Sequence, residues 1–179
     1  LDNPSVFFSD NIVRLIQNYR SSFLQMALHD LYSNKKNNLE FAHKLLELME
    51  TYFPPSVIAV TEPDLEIQIA RIYGQTGDIE TQKKILDGIL SRDNLPLETQ
   101  FYIGQVFTLD MKDFNSAISV YHGMLEKYPE VSDVLLALIQ AYAQADRVDE
   151  AIDFLNGWLQ NNPLDGKARE LMQLLQAQA

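Results

Sequence analysis

Three histidines, His29, His43 and His122, are the side chains able to shuttle protons near neutral pH, and they fall in three different helix-length segments. The closest approach to a metal or acid-base pattern is Glu40-x-x-His43, with Glu47 one helical turn further on the same face. That is half of a carboxylate di-iron signature, which needs a second Glu-x-x-His and two more glutamates from facing helices. The sequence holds no second copy. His122 and Glu126, at i and i+4, amount to a surface pair. Gly74-Gln-Thr-Gly77 lacks the Lys-Ser/Thr of a phosphate loop and reads as turn glycines, and no Gly-x-Ser-x-Gly elbow occurs. Asp146, Asp149, Glu150 and Asp153 crowd a helix start, where the positive end of the dipole favours carboxylates. The glycine and closing glutamate of a twelve-residue calcium loop are missing. The sequence therefore predicts no catalytic centre, no cofactor and no metal.

Composition narrows the function classes further. The chain has 179 residues, 46% hydrophobic and 22% charged, enough for a self-sufficient core. Fourteen Lys and Arg stand against 25 Asp and Glu, a net charge of −11, and such a field repels phosphate backbones and anionic lipid head groups. Nucleic acid and membrane surfaces are thereby disfavoured as partners. The longest apolar runs, Val57 to Val60 and Val134 to Ile139, fall far short of the ~20 residues that span a bilayer, so no insertion of this segment is expected. Without cysteine there are no disulfides and no thiolate ligands, a composition that suits the cytosol and an export compartment alike. The first residue is Leu, from which a domain of a longer protein is expected.

What must position these side chains is legible as a period. Three alanines are each followed four residues later by a large apolar side chain and twelve later by proline: Ala42, Leu46, Pro54; Ala117, Tyr121, Pro129; Ala151, Leu155, Pro163. The last two copies lie 34 residues apart. Upstream of each stands a helix-length stripe: Leu135, Leu138-Ile139, Tyr142; Gln100, Ile103-Gly104, Phe107; Glu66, Ile69-Ala70, Tyr73; and, more loosely, Leu24, Ala27-Leu28, Leu31. Ser9, Asp10 and Asn11 can cap a first helix running to about Ser33, and Asp165 a last one with Ala168, Leu171, Met172, Leu174 and Leu175. Pro54 to Pro63 reads as an extended linker. About nine helices and no strand are expected, with Tyr142, Phe154, Leu155 and Trp158 as packing residues.

At these residues, over roughly positions 20 to 163, the chain resembles the tetratricopeptide repeat family, whose pattern is a bulky residue, Leu-Gly, Tyr, then Ala, a large apolar residue and Pro. The resemblance implies an all-α, right-handed α-solenoid of helix-turn-helix repeats: a linker over 1–10, units at about 20–54, 63–96, 97–129 and 132–163, and a polar-faced capping helix over about 165–177. The sequence departs from the pattern at Gln82, where Ala is expected, at Pro96, two residues late, and at Asp146, where the turn glycine supplied elsewhere by Gly77 is replaced. Insertions are expected in the turns around Asn34 to Asn38 and Leu109 to Asp113.

In that family first helices line a concave groove, which here implies a groove of Gln68, Arg71 and Gln75; Phe101, Tyr102 and Gln105; Leu136, Gln140 and Gln144, with Ile67 beside them. The lysine and asparagine ladder that clamps a chaperone's terminal carboxylate is absent. Amides and aromatics suit an extended protein or peptide segment, while Phe101, Tyr102 and Leu136 fit inter-helix packing equally well. The expected function is a non-catalytic protein-binding or scaffolding module.

A narrower resemblance rests on Asn18-Tyr19-Arg20-x-x-Phe23, Ala42 to Leu46, Met49, Pro54 and Ile72-Tyr73 with Gly77. It is to the soluble C-terminal tails of large Bacteroidetes-type multi-spanning, glycosyltransferase-like membrane proteins. It implies spans in the full-length protein, a periplasmic address in place of the cytosol, and an accessory role toward a saccharide or lipid-linked substrate at Phe101, Tyr102 and Trp158.

Overall fold

The computed structural model describes residues 8–33 and 36–177, and among these every regular element is a helix, with no strand. Nine α-helices follow one another: α1 (Asp10–Leu31), α2 (Asn38–Tyr52), α3 (Pro63–Gln75), α4 (Ile79–Leu90), α5 (Leu97–Gln105), α6 (Phe114–Lys127), α7 (Ser132–Gln144), α8 (Val148–Asn161) and α9 (Gly166–Gln176). This is an all-α helical repeat fold. Contacts divide it into two compact units, Leu1–Leu95 and Pro96–Ala179. In the first, α1 packs on α2 and α3 on α4; in the second, α5 packs on α6 and α7 on α8, with α9 laid against α7 and α8. The Asn34 side of the predicted insertion before α2 lies partly outside the described residues, as do positions 1–7 of the predicted linker.

The periodic residues are the core. Ala42, Ala117 and Ala151 are wholly buried, together with Leu46, Tyr121 and Leu155 one turn later, because a small side chain lets two helices approach and the larger one fills the adjoining space. Gly104 shows how close that approach is: a Cβ there would stand 2.5 Å from the Tyr121 ring. In the second repeat Gln82 takes the place of alanine and is buried, its carboxamide filling the space over Gly74, so the larger residue on one helix is matched by the missing side chain on the other.

Helix ends follow local chemistry. Asp78, Asp113 and Asp165 accept backbone N–H bonds from Thr81 (3.0 Å), Ser116 (3.1 Å) and Ala168 (3.0 Å), so each caps the helix it precedes. The turns between paired helices close with a backbone bond reaching back over the helix end: Asp78 N–H to the Tyr73 carbonyl (2.8 Å) and Arg147 N–H to that of Tyr142 (3.0 Å). Such turns need a left-handed residue. Gly77 supplies it at φ 97°, and Asp146 does so at φ 57°. Aspartate pays a steric cost there that glycine avoids, so Asp146→Gly is expected to raise unfolding free energy by about 0.5 kcal/mol, and Gly77→Ala to lower it by about 1 kcal/mol. Denaturant titration of both variants checks this; a destabilised Asp146→Gly refutes the assignment.

Two sequence expectations require correction. The insertion expected as a loop at Leu109 to Asp113 is taken up inside the helix: α5 runs on without a break as a π-helical turn, Val106–Met111, ending in left-handed Lys112. The closing bond, from Asp113 N–H to the Phe107 carbonyl (2.9 Å), accordingly spans one residue more than its two counterparts. The widened turn absorbs the extra residue while keeping Val106, Phe107 and Thr108 buried. Pro54 to Pro63 is likewise not extended throughout, because the Val57 and Ile58 N–H groups fold back onto the Pro54 carbonyl (3.0 and 3.3 Å) and Ile58 and Val60 are buried.

Candidate functional site

In the N-terminal unit, the Asn18-Tyr19-Arg20-x-x-Phe23 motif has a structural task. Arg20 is completely buried, and its guanidinium donates to the carbonyls of Phe53 (2.8 Å) and Ala59 (3.3 Å), to that of Ile58, and to Gln17 Oε1 (3.2 Å). Gln17 Nε2 donates to the Ala59 carbonyl as well, at 2.9 Å. These are the carbonyls of the turn between α2 and α3, which have no helical partners of their own. Tyr19 stacks on Phe53 with ring centroids 5.6 Å apart, and Phe23 meets the same ring edge-on at 6.1 Å. Burial lowers the Arg20 guanidinium from its ordinary value and the charge of Glu66 opposes that shift. Glu66 in turn receives Arg92 Nη2 at 2.7 and 2.6 Å.

The histidines are likewise part of the packing. His43 places Nδ1 3.1 Å from Thr76 Oγ1 and Nε2 3.6 Å from Glu47, and its ring meets Tyr73 edge-on. His122 Nε2 lies 2.7 Å from the Tyr142 hydroxyl, and its ring sits edge-on to both Tyr142 and Phe154. Among the described residues no three His, Asp or Glu side chains are grouped to hold a metal ion. Burial holds the His122 imidazole below its ordinary value; Glu126 pulls it back up and Arg147 adds to the lowering. An unfolded chain protonates this histidine near pH ~6.5 whereas the folded one resists, so stability is fully present above that pH and is lost as pH falls through it. The melting temperature is expected to drop between pH 7.5 and 5.5 by more in the wild type than in His122→Gln; equal drops refute the coupling.

The acidic helix start near Asp146 is an ion-paired surface. Arg147 grips Glu150 with two bonds of 2.6 Å, reaches Asn115 Oδ1 at 2.8 Å, and lies 5.3 Å from the Tyr142 ring centroid.

Of the residues assigned to a groove, five come together. Phe101 and Gln105 on α5 and Leu136, Gln140 and Gln144 on α7 line one open cleft of about 300 Å³ in the C-terminal unit. Gln140 and Gln144 are exposed, and Phe101, Gln105 and Leu136 half-buried. The spacing explains the convergence: positions i, i+4 and i+8 on α7 and i, i+4 on α5 put one row from each helix on the facing sides. Phe101 leans on buried Tyr121 at 5.9 Å, forming the floor. Beside Asp133 and Ala137 of α7, the lining residues that the sequence reading missed include Thr108 and the 66% exposed Leu109. Both belong to the π-helical turn, and Thr108 Oγ donates to the Gly104 carbonyl at 2.8 Å.

Tyr102 is half-buried and lies outside that lining. Gln68, Arg71 and Gln75 sit on α3 of the N-terminal unit at i, i+3 and i+7, the glutamines exposed and the arginine half-buried. Ile67 is fully buried and belongs to the core, which corrects its placement beside the groove. Trp158 donates its indole N–H to Asp165 Oδ2 (2.9 Å) and packs on Phe154, tying α8 to the cap of α9. Burial would raise the Asp165 carboxyl, but the N–H donors of Ala168, Trp158 and Lys167 outweigh it and leave it lowered.

No helix among the described residues is long and apolar enough to cross a membrane. No significant match is found among curated proteins. Two solved structures resemble the chain in fold: a mutant of MamA, at 19% identity and TM-score 0.51 over 91% of this chain and 82% of that one, and MamA from AMB-1, at 20% identity and TM-score 0.50 over 94% and 84%. The profile that matches the sequence is that of the tetratricopeptide repeat, over residues 108–175.

Proposed function

We propose that this chain, whose residues 108–175 match the tetratricopeptide repeat, is a non-catalytic module that holds an extended segment of a protein partner in the cleft between α5 and α7. Repeats of this family with folds of this kind act as protein-protein interaction scaffolds, and the functional reading starts from that. The observation that carries it is the meeting of three carboxamides, Gln105, Gln140 and Gln144, with the apolar Phe101 and Leu136 in one open cleft. An extended peptide presents alternating backbone donors and acceptors, and a carboxamide serves either. Phe101, Leu136 and Leu109 supply contact for side chains, and a cleft of about 300 Å³ accepts a few of them. Asp133 at the wall and the net charge of −11 favour a neutral or basic segment over an acidic one. Gln68, Arg71 and Gln75 on α3 form a second row of the same chemistry, to which the same role is assigned.

The test is a peptide array of mixed composition followed by titration of the strongest binder. Leu136→Asp and Gln140→Ala are each expected to weaken that peptide about tenfold, the scale of one lost buried contact or hydrogen bond. Unchanged affinity in both variants, at unchanged circular dichroism, rejects the cleft. A response to glycans in place of peptides moves the reading to the saccharide-contacting accessory role.

A further inference from the structure

The first helix pair carries apolar side chains on two faces, and among the described residues only one of them is packed over. On α1 the buried row is Ile16, Arg20, Leu24, Ala27 and Leu31, while Ile12, Leu15, Tyr19 and Met26 stand 42 to 51% exposed. Their spacing, with Ser22 filling the missing step, is the alternating three and four of a coiled-coil seam. At 100° per residue this row lies roughly 120° around the helix from the buried one. α2 repeats the pattern: Phe41, Leu48 and Tyr52 are 38 to 61% exposed, roughly 110° from buried Ala42, Leu46 and Met49. Because α1 and α2 run antiparallel and both pack on α3, the two rows fall on the side of the pair away from α3, and Tyr19 stacks on Phe53 at the end of α2. At ~200 Å² for a large apolar side chain, these exposures amount to roughly 700 Å², more than the largest apolar patch of an ordinary monomer.

We propose that this face is a twofold self-association surface, covered by the same face of a second copy of this chain. Three observations commit it to that occupant. Ile12 and Met26 lie seven residues to either side of Tyr19, so an antiparallel α1–α1 pair around a twofold axis at Tyr19 sets Ile12 against Met26 at both ends and Tyr19 against Tyr19 at the centre, with Leu15 beside the small Ser22. Two such faces together bury roughly 1,400 Å², inside the range of stable specific interfaces. Charge permits the approach: in a chain of net −11, the stretch Asn11 to Leu28 has no acidic residue, and its only charges are Arg14 and buried Arg20. The acids of α2, Glu40, Glu47 and Glu50, lie about 80° or more from every residue of its exposed row. Two copies therefore meet here without the repulsion that the rest of the surface imposes.

Sedimentation equilibrium of the 179-residue chain from about 5 to 200 μM is expected to show the 20.5 kDa species converting to twice that mass. Leu15→Glu and Tyr19→Glu change side chains already half in solvent, so both should keep the helical spectrum while raising the dissociation constant at least about tenfold. Leu174→Glu, equally exposed but on α9, should leave it unchanged. Since the chain has no cysteine, Tyr19→Cys provides a unique thiol, expected to form an intermolecular disulfide under mild oxidation where Leu174→Cys does not. A monomer throughout the range, a dimer insensitive to both glutamates, or equal cross-linking of the two cysteine variants would each overturn the proposal.

Discussion

Arg20→Met is expected to destabilise the protein by about 3 kcal/mol and to lower its melting temperature by roughly 10 °C. Methionine fills much of the arginine's volume, so the loss comes from polarity: three carbonyls of the α2–α3 turn, Phe53, Ile58 and Ala59, lose the donor they share. Water reaches these carbonyls poorly, because the Arg20 site is fully buried. Arg20→Lys separates charge from geometry. An ammonium keeps the positive charge opposite Glu66 but cannot address three carbonyls as a planar fork, and should recover less than half of the loss. Full recovery by lysine, or a melting temperature within about 2 °C of wild type for methionine, would show that the fork is dispensable.

Ala151→Glu is expected to be larger still, several kcal/mol, enough to remove cooperative unfolding of the C-terminal unit. Ala151 is wholly buried on α8, at the position where the repeat requires a small side chain so that neighbouring helices can touch. Glutamate there must either drive the helices apart or bury an unpaired carboxylate. The readout is built in: Trp158 is the sole tryptophan and stands two turns along the same helix, so its fluorescence follows this unit. Asn156→Glu, on the exposed side of α8, serves as the control and should cost less than about 0.5 kcal/mol. A Trp158 transition unaltered by Ala151→Glu would refute the register of the repeat.

The fold was legible because its alternation of small and large buried residues is written at a fixed interval. Ala42, Ala117 and Ala151 could be placed at helix contacts from spacing alone, and all three are enclosed. The part of the cleft formed by Gln140 and Gln144 was legible for the same reason, since once the inward row is assigned the neighbouring row is fixed by helical geometry. Three features were not. A single added residue carries no compositional mark, so the π-helical turn was read as a loop and Thr108 and Leu109 were left off the cleft wall. Arg20 falls within a helix stripe where a charged side chain reads as solvated, and only the three-dimensional placement of carbonyls some forty residues later shows why it is buried. Gln82 reads as a defect in the pattern until Gly74 is seen opposite it.

The π-helical turn bears on how this molecule ages in solution. Length variation between repeats ordinarily surfaces as a slack loop, the segment at which proteases nick a chain. Here the surplus residue is wound into the helix, with Val106, Phe107 and Thr108 shielded and the strand of backbone hydrogen-bonded through to Asp113. The irregularity thus sits beside the cleft as wound helix in place of a loop, and the wall that it builds is held by the helix on which it lies.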